Sequence, residues 1–336
     1  MIDRYSRQRI FPGIGARGQQ KLGSSCAAVV GCGALGTVIA SCLVRAGVGA
    51  TKIIDRDFIE YHNLQRQVLF DEDDIRNGLP KAIAAERHLR KVNSSVRVEG
   101  TVADLNHTNV EKLIRGADVI LDGLDNFETR LLLNDASLKY GIPWIYGGVL
   151  SSSGVTMTVV PHETSCLRCV LSGSGRMVTN QTCDTAGVIS PAPWVVGSLQ
   201  AAEAIKILVG AKEINRDLIS VDVWEGTFLR LKTFAEKDCP ACHGKYEFLD
   251  GRHGTRTTLL CGQNAVQVIS PNAEQVSLNE LAGRLKMVGE VTYNEFMLNF
   301  KVDSQEMVIF PDGRAIVKHT ADESLARGLY AKYIGT

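Results

Sequence analysis

Along the chain, apolar positions fall into short continuous runs divided by glycine and by acidic or amide residues. The first is Ala27-Ala28-Val29-Val30, followed by the turn Gly31-x-Gly33-x-x-Gly36 and an apolar stretch to about Ala46. Thr51-Lys52-Ile53-Ile54 comes next and ends in Asp55. Short uninterrupted apolar runs, alternating with longer helical patterns, predict strands buried on both faces of a parallel sheet. The alternation continues with a strand over 96–102, a helix at about 108–115 and the run Asp118-Val119-Ile120-Leu121-Asp122. Before it, Pro80-Lys81 opens a helix, since proline suits the first helical turn. After it, Asp125-Asn126 caps a long helix that carries Arg130, and Pro143-Trp144-Ile145-Tyr146 is the next strand. Past Gly147-Gly148 the period falls to two over Val155–Val160, which predicts an antiparallel extension. A helix over Val195–Val209 stopped by Gly210, and strands near 218–223 and 227–233, complete this part. The fold class is therefore α/β: a Rossmann-like, doubly wound, mostly parallel sheet extended by antiparallel strands.

Other stretches lack such periodicity. Residues 5–22 read as a polar helical arm whose Arg4, Arg7 and Arg9 suit a solvated face. Residues 57–68 and 161–190 read as loops, and the polar, glycine-containing stretch from Lys245 to Arg256 reads as a linker. The remainder predicts a small α+β domain: a strand at Ala265–Ile269, a helix at about 277–287, several short strands and a last helix, Asp322–Tyr333. Phe310-Pro311-Asp312-Gly313-Arg314 between apolar runs marks a hairpin there. Two domains are expected, 1–245 and 255–336.

Composition narrows the field. Hydrophobic content of 45%, charged content of 22%, a net charge of +0 and a pI near 7.0 argue against a nucleic-acid binder or an anionic-membrane binder. No apolar run approaches the ~18 residues of a membrane helix. The polar start, Met1 to Arg7, has no signal-peptide core, so a cytoplasmic location is expected. The nine cysteines include two CxxC pairs, which read as a metal site plus free thiols, with Cys26, Cys32 and Cys42 on buried elements.

The candidate chemistry lies at two places. A strand, glycine turn, helix, strand and acidic residue forms the nucleotide-binding half of a doubly wound sheet. Gly31, Gly33 and Gly36 would let backbone amides approach an anion, and Asp55 could accept from ribose hydroxyls. Asn63, Arg66 and Lys81 are phosphate ligands beyond what a dinucleotide needs, and there is no GxxxxGK[ST] loop. Asp125, with Asp122, can hold Mg²⁺. The competing readings are helix capping for one of these two aspartates and a solvated surface for Arg66. An NAD(P)-dependent oxidoreductase is the alternative class, but it lacks a plausible acid at the hydride site. Cys166-x-x-Cys169 and Cys239-x-x-Cys242 supply four thiolates, a closed structural Zn²⁺ set with no position left for catalysis.

Arg4-Tyr5-Ser6-Arg7-Gln8, the GCGALG turn, Asp55-x-Asp57, Asn63-Leu64-Gln65-Arg66-Gln67, Pro80-Lys81 and Asp122-x-x-Asp125-Asn126 occur in this order. With the two CxxC pairs and Cys183-x-x-Ala186-Gly187-Val188, they make residues 4–244 similar to the ThiF/MoeB/HesA family, bacterial relatives of ubiquitin-activating enzymes. The resemblance implies adenylation of the C-terminal Gly-Gly carboxylate of a ubiquitin-like sulfur carrier. ATP would lie along Gly31–Gly36 with its ribose on Asp55, and Asp57, Gln67 and Asn126 stand in the same nucleotide motifs. Asn63, Arg66 and Lys81 would hold its phosphates, and Asp125 the Mg²⁺. Arg7 would reach the triphosphate of the other subunit of a homodimer. Cys183 has a sulfur-transfer or covalent role in some members; an inert loop thiol is the alternative. A cysteine desulfurase or other sulfur donor is a further expected partner. No rhodanese loop follows residue 245. The extension resembles that of longer ThiF-type proteins of Gram-positive bacteria, which favours the thiamin-thiazole carrier ThiS over the molybdopterin carrier MoaD. A third reading is a catalytically silent scaffold that binds a carrier without ATP, which intact Arg66, Lys81 and Asp125 argue against.

Overall fold

The computed structural model describes residues 3–173, 186–252, 257–260, 264–269, 276–302 and 304–334. Its residues form two compact units, one reaching His253 and the other beginning at Gly254. Cys183 and Cys261 lie outside the described residues.

The first unit is built on eight strands in the order β3-β2-β1-β4-β5-β6-β7-β8. These are β1 (Cys26–Val30), β2 (Ala50–Asp55), β3 (Arg97–Val102), β4 (Val119–Asp122), β5 (Trp144–Leu150), β6 (Ser153–Val159), β7 (Leu218–Asp222) and β8 (Thr227–Leu231). The first five pair in parallel and the last three join antiparallel. β1 is flanked by β2 and β4, so the chain reverses its winding direction there. The crevice for a ligand in an open α/β sheet lies at that switch, beyond the carboxyl ends of the strands. Val29, Ile53 and Leu121 stand level on β1, β2 and β4 and are wholly buried. That is why these runs are apolar without alternation.

Two short helices, α1 (Ser6–Ile10) and α2 (Gly15–Ser24), form the N-terminal arm and are interrupted where Pro12 and Gly13 stand. The arm is not merely solvated. The Gln8 Nε2 donates to the Ala46 carbonyl at 2.8 Å, and Asn93 Nδ2 donates to the Tyr5 hydroxyl at 2.8 Å. Thus α1 is fastened at the C-terminal end of α3 (Ala34–Ala46). Next come α4 (Glu72–Arg76), α5 (Lys81–Val92), α6 (Val110–Ile114) and α7 (Phe127–Tyr140). Asn126 caps α7, its Oδ1 accepting from the Thr129 N–H at 2.9 Å.

Two stretches differ from their sequence reading. Within 161–190, α8 (Leu167–Gly173) places Cys169 on a helix rather than a loop, with Cys166 just before its first residue. Residues 245–252 are not a free linker. Leu249 is 8% exposed, Glu247 pairs with Arg168 at 2.8 Å, and the Phe248 N–H donates to Asp135 on α7 at 3.0 Å. A third difference concerns α9 (Pro191–Val209). By length and composition it alone among the described helices could cross a membrane. It is instead a core helix packed on β5, β6 and α3. Its Gln200 is wholly buried and donates to the Asp122 and Ile145 carbonyls at 2.9 and 3.1 Å.

The edge strand β8 is exposed along its full length, and Trp224, Phe228, Leu229, Leu231 and Phe234 lie open on or beside it.

The second unit has six antiparallel strands in the order β11-β12-β13-β14-β10-β9. They are β9 (Thr257–Leu260), β10 (Ala265–Val268), β11 (Glu290–Tyr293), β12 (Leu298–Val302), β13 (Gln305–Ile309) and β14 (Ala315–Lys318). The helices α10 (Leu278–Leu285) and α11 (Glu323–Tyr333) share their core, where Leu281, Phe300, Met307 and Val317 are buried. Pro311-Asp312-Gly313 turns the β13–β14 hairpin, with Gly313 at φ +78° and the Phe310 N–H donating to the Arg314 carbonyl at 2.9 Å. The small α+β fold predicted for this end of the chain is present.

Candidate active site and four-cysteine centre

The crevice is assembled from backbone first. Gly31 sits at φ +87°, and a Cβ on Gly36 would lie 1.9 Å from the Gly31 carbonyl, so neither position admits a side chain. Gly33, at the N-cap of α3, is different: a Cβ there would meet nothing closer than the Gln67 Nε2 at 3.9 Å. The protein leaves that space open, as a turn that admits a ligand's phosphates requires.

Asp55 fixes the turn. Its Oδ2 accepts from the Cys32 N–H at 2.5 Å and its Oδ1 from the Asp57 N–H at 2.7 Å. Burial pushes its carboxyl above the ordinary range, against the pull of Lys81. Each of its oxygens keeps a further lone pair for a ribose hydroxyl. Lys81, 6% exposed at the start of α5, places its Nζ 3.2 Å from Asp57 Oδ2. A cation in a first turn needs an anion nearby, and here the chain supplies one. Burial works against the Lys81 charge, but Asp57 and Asp55 outweigh it and hold the ammonium above its ordinary range.

The loop after β2 is stitched to the same place. The Lys81 N–H donates to the Asp57 carbonyl at 2.9 Å, and Asn63 Oδ1 accepts from the Glu60 N–H at 3.0 Å. Gln67 is buried with its Oε1 unpartnered. Arg66 donates to the His62 carbonyl at 2.8 Å. It is half-buried.

Beyond β4, Asp122 and Asp125 separate in role. Asp122 is wholly buried; its Oδ1 accepts from the Leu124 N–H at 2.9 Å and its Oδ2 from the Arg130 Nε at 3.2 Å. Arg130 also donates to the Leu124 carbonyl at 2.6 Å. Asp122 is therefore consumed in holding the 122–126 turn and is not a magnesium ligand, a correction to its pairing with Asp125. Burial pushes its carboxyl up to about 6. Asp125 is exposed at the turn, with Asn126 Nδ2 3.3 Å from its Oδ1. A single accessible carboxylate fits Mg²⁺, which keeps most of its shell for water and phosphate.

One residue of this cluster escaped the motif reading. Arg56, between Asp55 and Asp57, donates to Asp104 Oδ1 at 2.8 Å and lies 3.7 Å from Asp57 Oδ1. The available signal was its place between two acids at a strand end. Arg7 is not brought to this crevice within the chain. It rides on α1 at the far end of α3, about 20 Å from the turn by helix length, exposed and in no ion pair among the described residues.

The four-cysteine centre lies in the same unit. Cys166 Sγ is 3.6 Å from the sulfurs of Cys169, Cys239 and Cys242, and Cys169 is 3.6 Å from Cys242. A zinc tetrathiolate has edges of about 3.8 Å, so the set fits Zn²⁺. Burial pushes the Cys166 thiol far up and that of Cys242 up to about 12, so a bound dication is what would make these groups thiolates. Both pairs hang on α7: Asn134 accepts from the Leu167 N–H at 2.8 Å and Asp135 from Phe248. Cys242 alone of the four borders a cleft of about 610 Å³, lined also by His162, Arg216 and Phe234.

The doubly wound sheet, the open glycine turn with cations around it and the separate four-cysteine cluster define a nucleotide-binding α/β protein. Residues 5–242 match the ThiF family, and the chain belongs to it. It is 46% identical over 339 residues, end to end in both chains, to the sulfur carrier protein ThiS adenylyltransferase of Bacillus subtilis. A sulfur carrier protein adenylyltransferase of Thermus thermophilus is 38% identical, over 72% of this chain and 90% of that one. The crystal structure of Escherichia coli MccB with ATP superposes with a TM-score of 0.63 at 26% identity, over 72% of this chain and 75% of that one.

Proposed function

We propose that this protein uses ATP to adenylate the C-terminal Gly-Gly carboxylate of a ubiquitin-like sulfur carrier of the ThiS type. The products are the acyl-adenylate and pyrophosphate, ahead of thiocarboxylate formation. The observation that carries the reading is the set of cations beside an open glycine turn in a chain alike end to end to the Bacillus ThiS adenylyltransferase. A carboxylate attacking the α-phosphorus meets anionic repulsion, so catalysis consists of neutralising the phosphates and aligning the attack. Lys81, Arg66 and the α3 N-terminus meet the phosphates; Asp55 takes the ribose. Asp125 would hold Mg²⁺, which supplies charge neutralisation between the phosphates. No side-chain nucleophile is required for this step. The zinc site ties α8 to the segment near 240 and takes no part in it. The adenylation domain corresponds to residues up to about 245, with its packed tail, and the small domain to those from about 255.

Arg7 acts on the triphosphate of a partner copy, so the working unit is a cytoplasmic homodimer. The position of α1 away from its own crevice supports this. A sulfur donor such as a cysteine desulfurase completes the sequence, with Cys183 the candidate thiol for transfer.

Carrier-dependent ATP–pyrophosphate exchange tests the proposal. Exchange is expected with a ThiS-type carrier and its loss in Asp125→Ala with the fold intact. Exchange with a MoaD-type carrier alone would move the protein to molybdopterin synthesis. Absence of exchange with every Gly-Gly-ended carrier would overturn the reading.

A further inference from the structure

We infer that Arg56 is a positioning residue for Lys81: by drawing on one oxygen of Asp57, it leaves the Lys81 ammonium available to a phosphate. The inference rests on the adenylation reading of the same crevice.

Asp57 is placed rigidly. Its N–H donates to Asp55 Oδ1 at 2.7 Å and its carbonyl accepts from the Lys81 N–H at 2.9 Å. Its carboxylate is shared, with Oδ2 3.2 Å from Lys81 Nζ and Oδ1 3.7 Å from Arg56 Nε. Arg56 is held from the other side by Asp104 Oδ1 at 2.8 Å. The Asp104 carbonyl is in turn fixed by Asn106 Nδ2 at 3.0 Å and Asn109 Nδ2 at 2.8 Å. A chain of charge therefore runs Asp104–Arg56–Asp57–Lys81, and both its cations also feel Asp125.

Without Arg56 the full charge of Asp57 falls on Lys81, which must then leave a stronger partner to reach a phosphate. The crevice also becomes more negative by one charge, which opposes a polyanion. Both effects have the same sign. A lysine at this position keeps the charge but not the planar fork that reaches two carboxylates at once.

Binding of ATP with saturating Mg²⁺ to the full chain, without carrier, and carrier-dependent exchange read the effect. Arg56→Gln should weaken ATP binding about tenfold, the equivalent of one partly buried charge contact. The loss should appear in KM for ATP more than in kcat. Arg56→Lys should recover part of it. Asp104→Asn discriminates: it removes the carboxylate that holds Arg56 from the other side and leaves more of its charge to Asp57, so ATP should bind at least as tightly as in the wild type. A merely structural bridge predicts that Asp104→Asn and Arg56→Gln weaken binding alike, and that result overturns the inference. Unchanged binding by Arg56→Gln overturns it too. If the wild type shows no exchange, the adenylation reading fails while the binding comparison still decides Arg56. If Arg56→Gln does not fold, Asp104→Asn and Arg56→Lys carry the test.

Discussion

The two aspartates of the Asp122-x-x-Asp125 motif show how one residue type divides between holding and acting. Asp122 spends its carboxylate on Arg130 and the Leu124 N–H, and so sets the turn from which Asp125 projects. Its folded-state pKa, up to about 6 through burial, lies above that of an unfolded aspartate. An acid shifted upward binds its proton more tightly in the folded chain. Its contribution to stability is therefore present below about pH 4 and lost as pH rises through about 6. Urea unfolding of wild type and Asp122→Asn from pH 4 to 7 should show a difference between them that changes across that window and is flat above it. The motif as a whole was legible in the sequence, but the division of labour was not. Spacing says that two carboxylates are near one another; only burial says which one water and metal can reach. Arg56 was illegible for a related reason, since a cation between two acids in a loop reads as a solvated ion pair until Asp104 is seen to lie against it.

At the level of elements, continuous apolar runs marked β1, β2 and β4 because both faces of a parallel strand are buried. The antiparallel β6 was legible from its period of two. Two readings failed where a short apolar set hides in polar composition. The apolar positions of α8 span only one short helix and are interrupted by Arg168. In 245–252, Tyr246, Phe248 and Leu249 are the residues packed on the core, and the polar residues around them gave the look of a linker. Both segments converge on α7 through Asn134 and Asp135, so the sulfur centre fastens two otherwise weakly held pieces of chain. With zinc in the centre as proposed, its removal by a chelator should lower the melting temperature by about 10 °C or more. Of the four thiols, Cys242 should be the first to react with a thiol reagent in the stripped protein, because it borders the cleft. Metal analysis and peptide mapping check both statements. Equal labelling of all four sulfurs would show that the whole centre opens together.

For the whole molecule, the expected dimer makes a prediction that neither subunit makes alone. With Arg7 fastened at the far end of α3, each active site would need a residue from the other copy. Arg7→Ala and Asp125→Ala should each be inactive. Mixed after subunit exchange, they should regain exchange activity, since half of the sites in a mixed dimer carry both intact groups. Size-exclusion with light scattering and pyrophosphate exchange on the mixture read this directly. A monomer with full activity would remove Arg7 from the site.

The bare edge of β8 bears on how the protein behaves in solution. Its outer backbone groups, which meet no strand among the described residues, and Phe228, Leu229 and Leu231 beside them are a template on which a second copy can add a strand. Arg230 on this edge and Lys232 just past its end are charges that oppose such stacking. Added salt screens like-charge repulsion. Colloidal stability at high protein concentration should therefore fall as ionic strength rises, and Leu229→Lys should restore it.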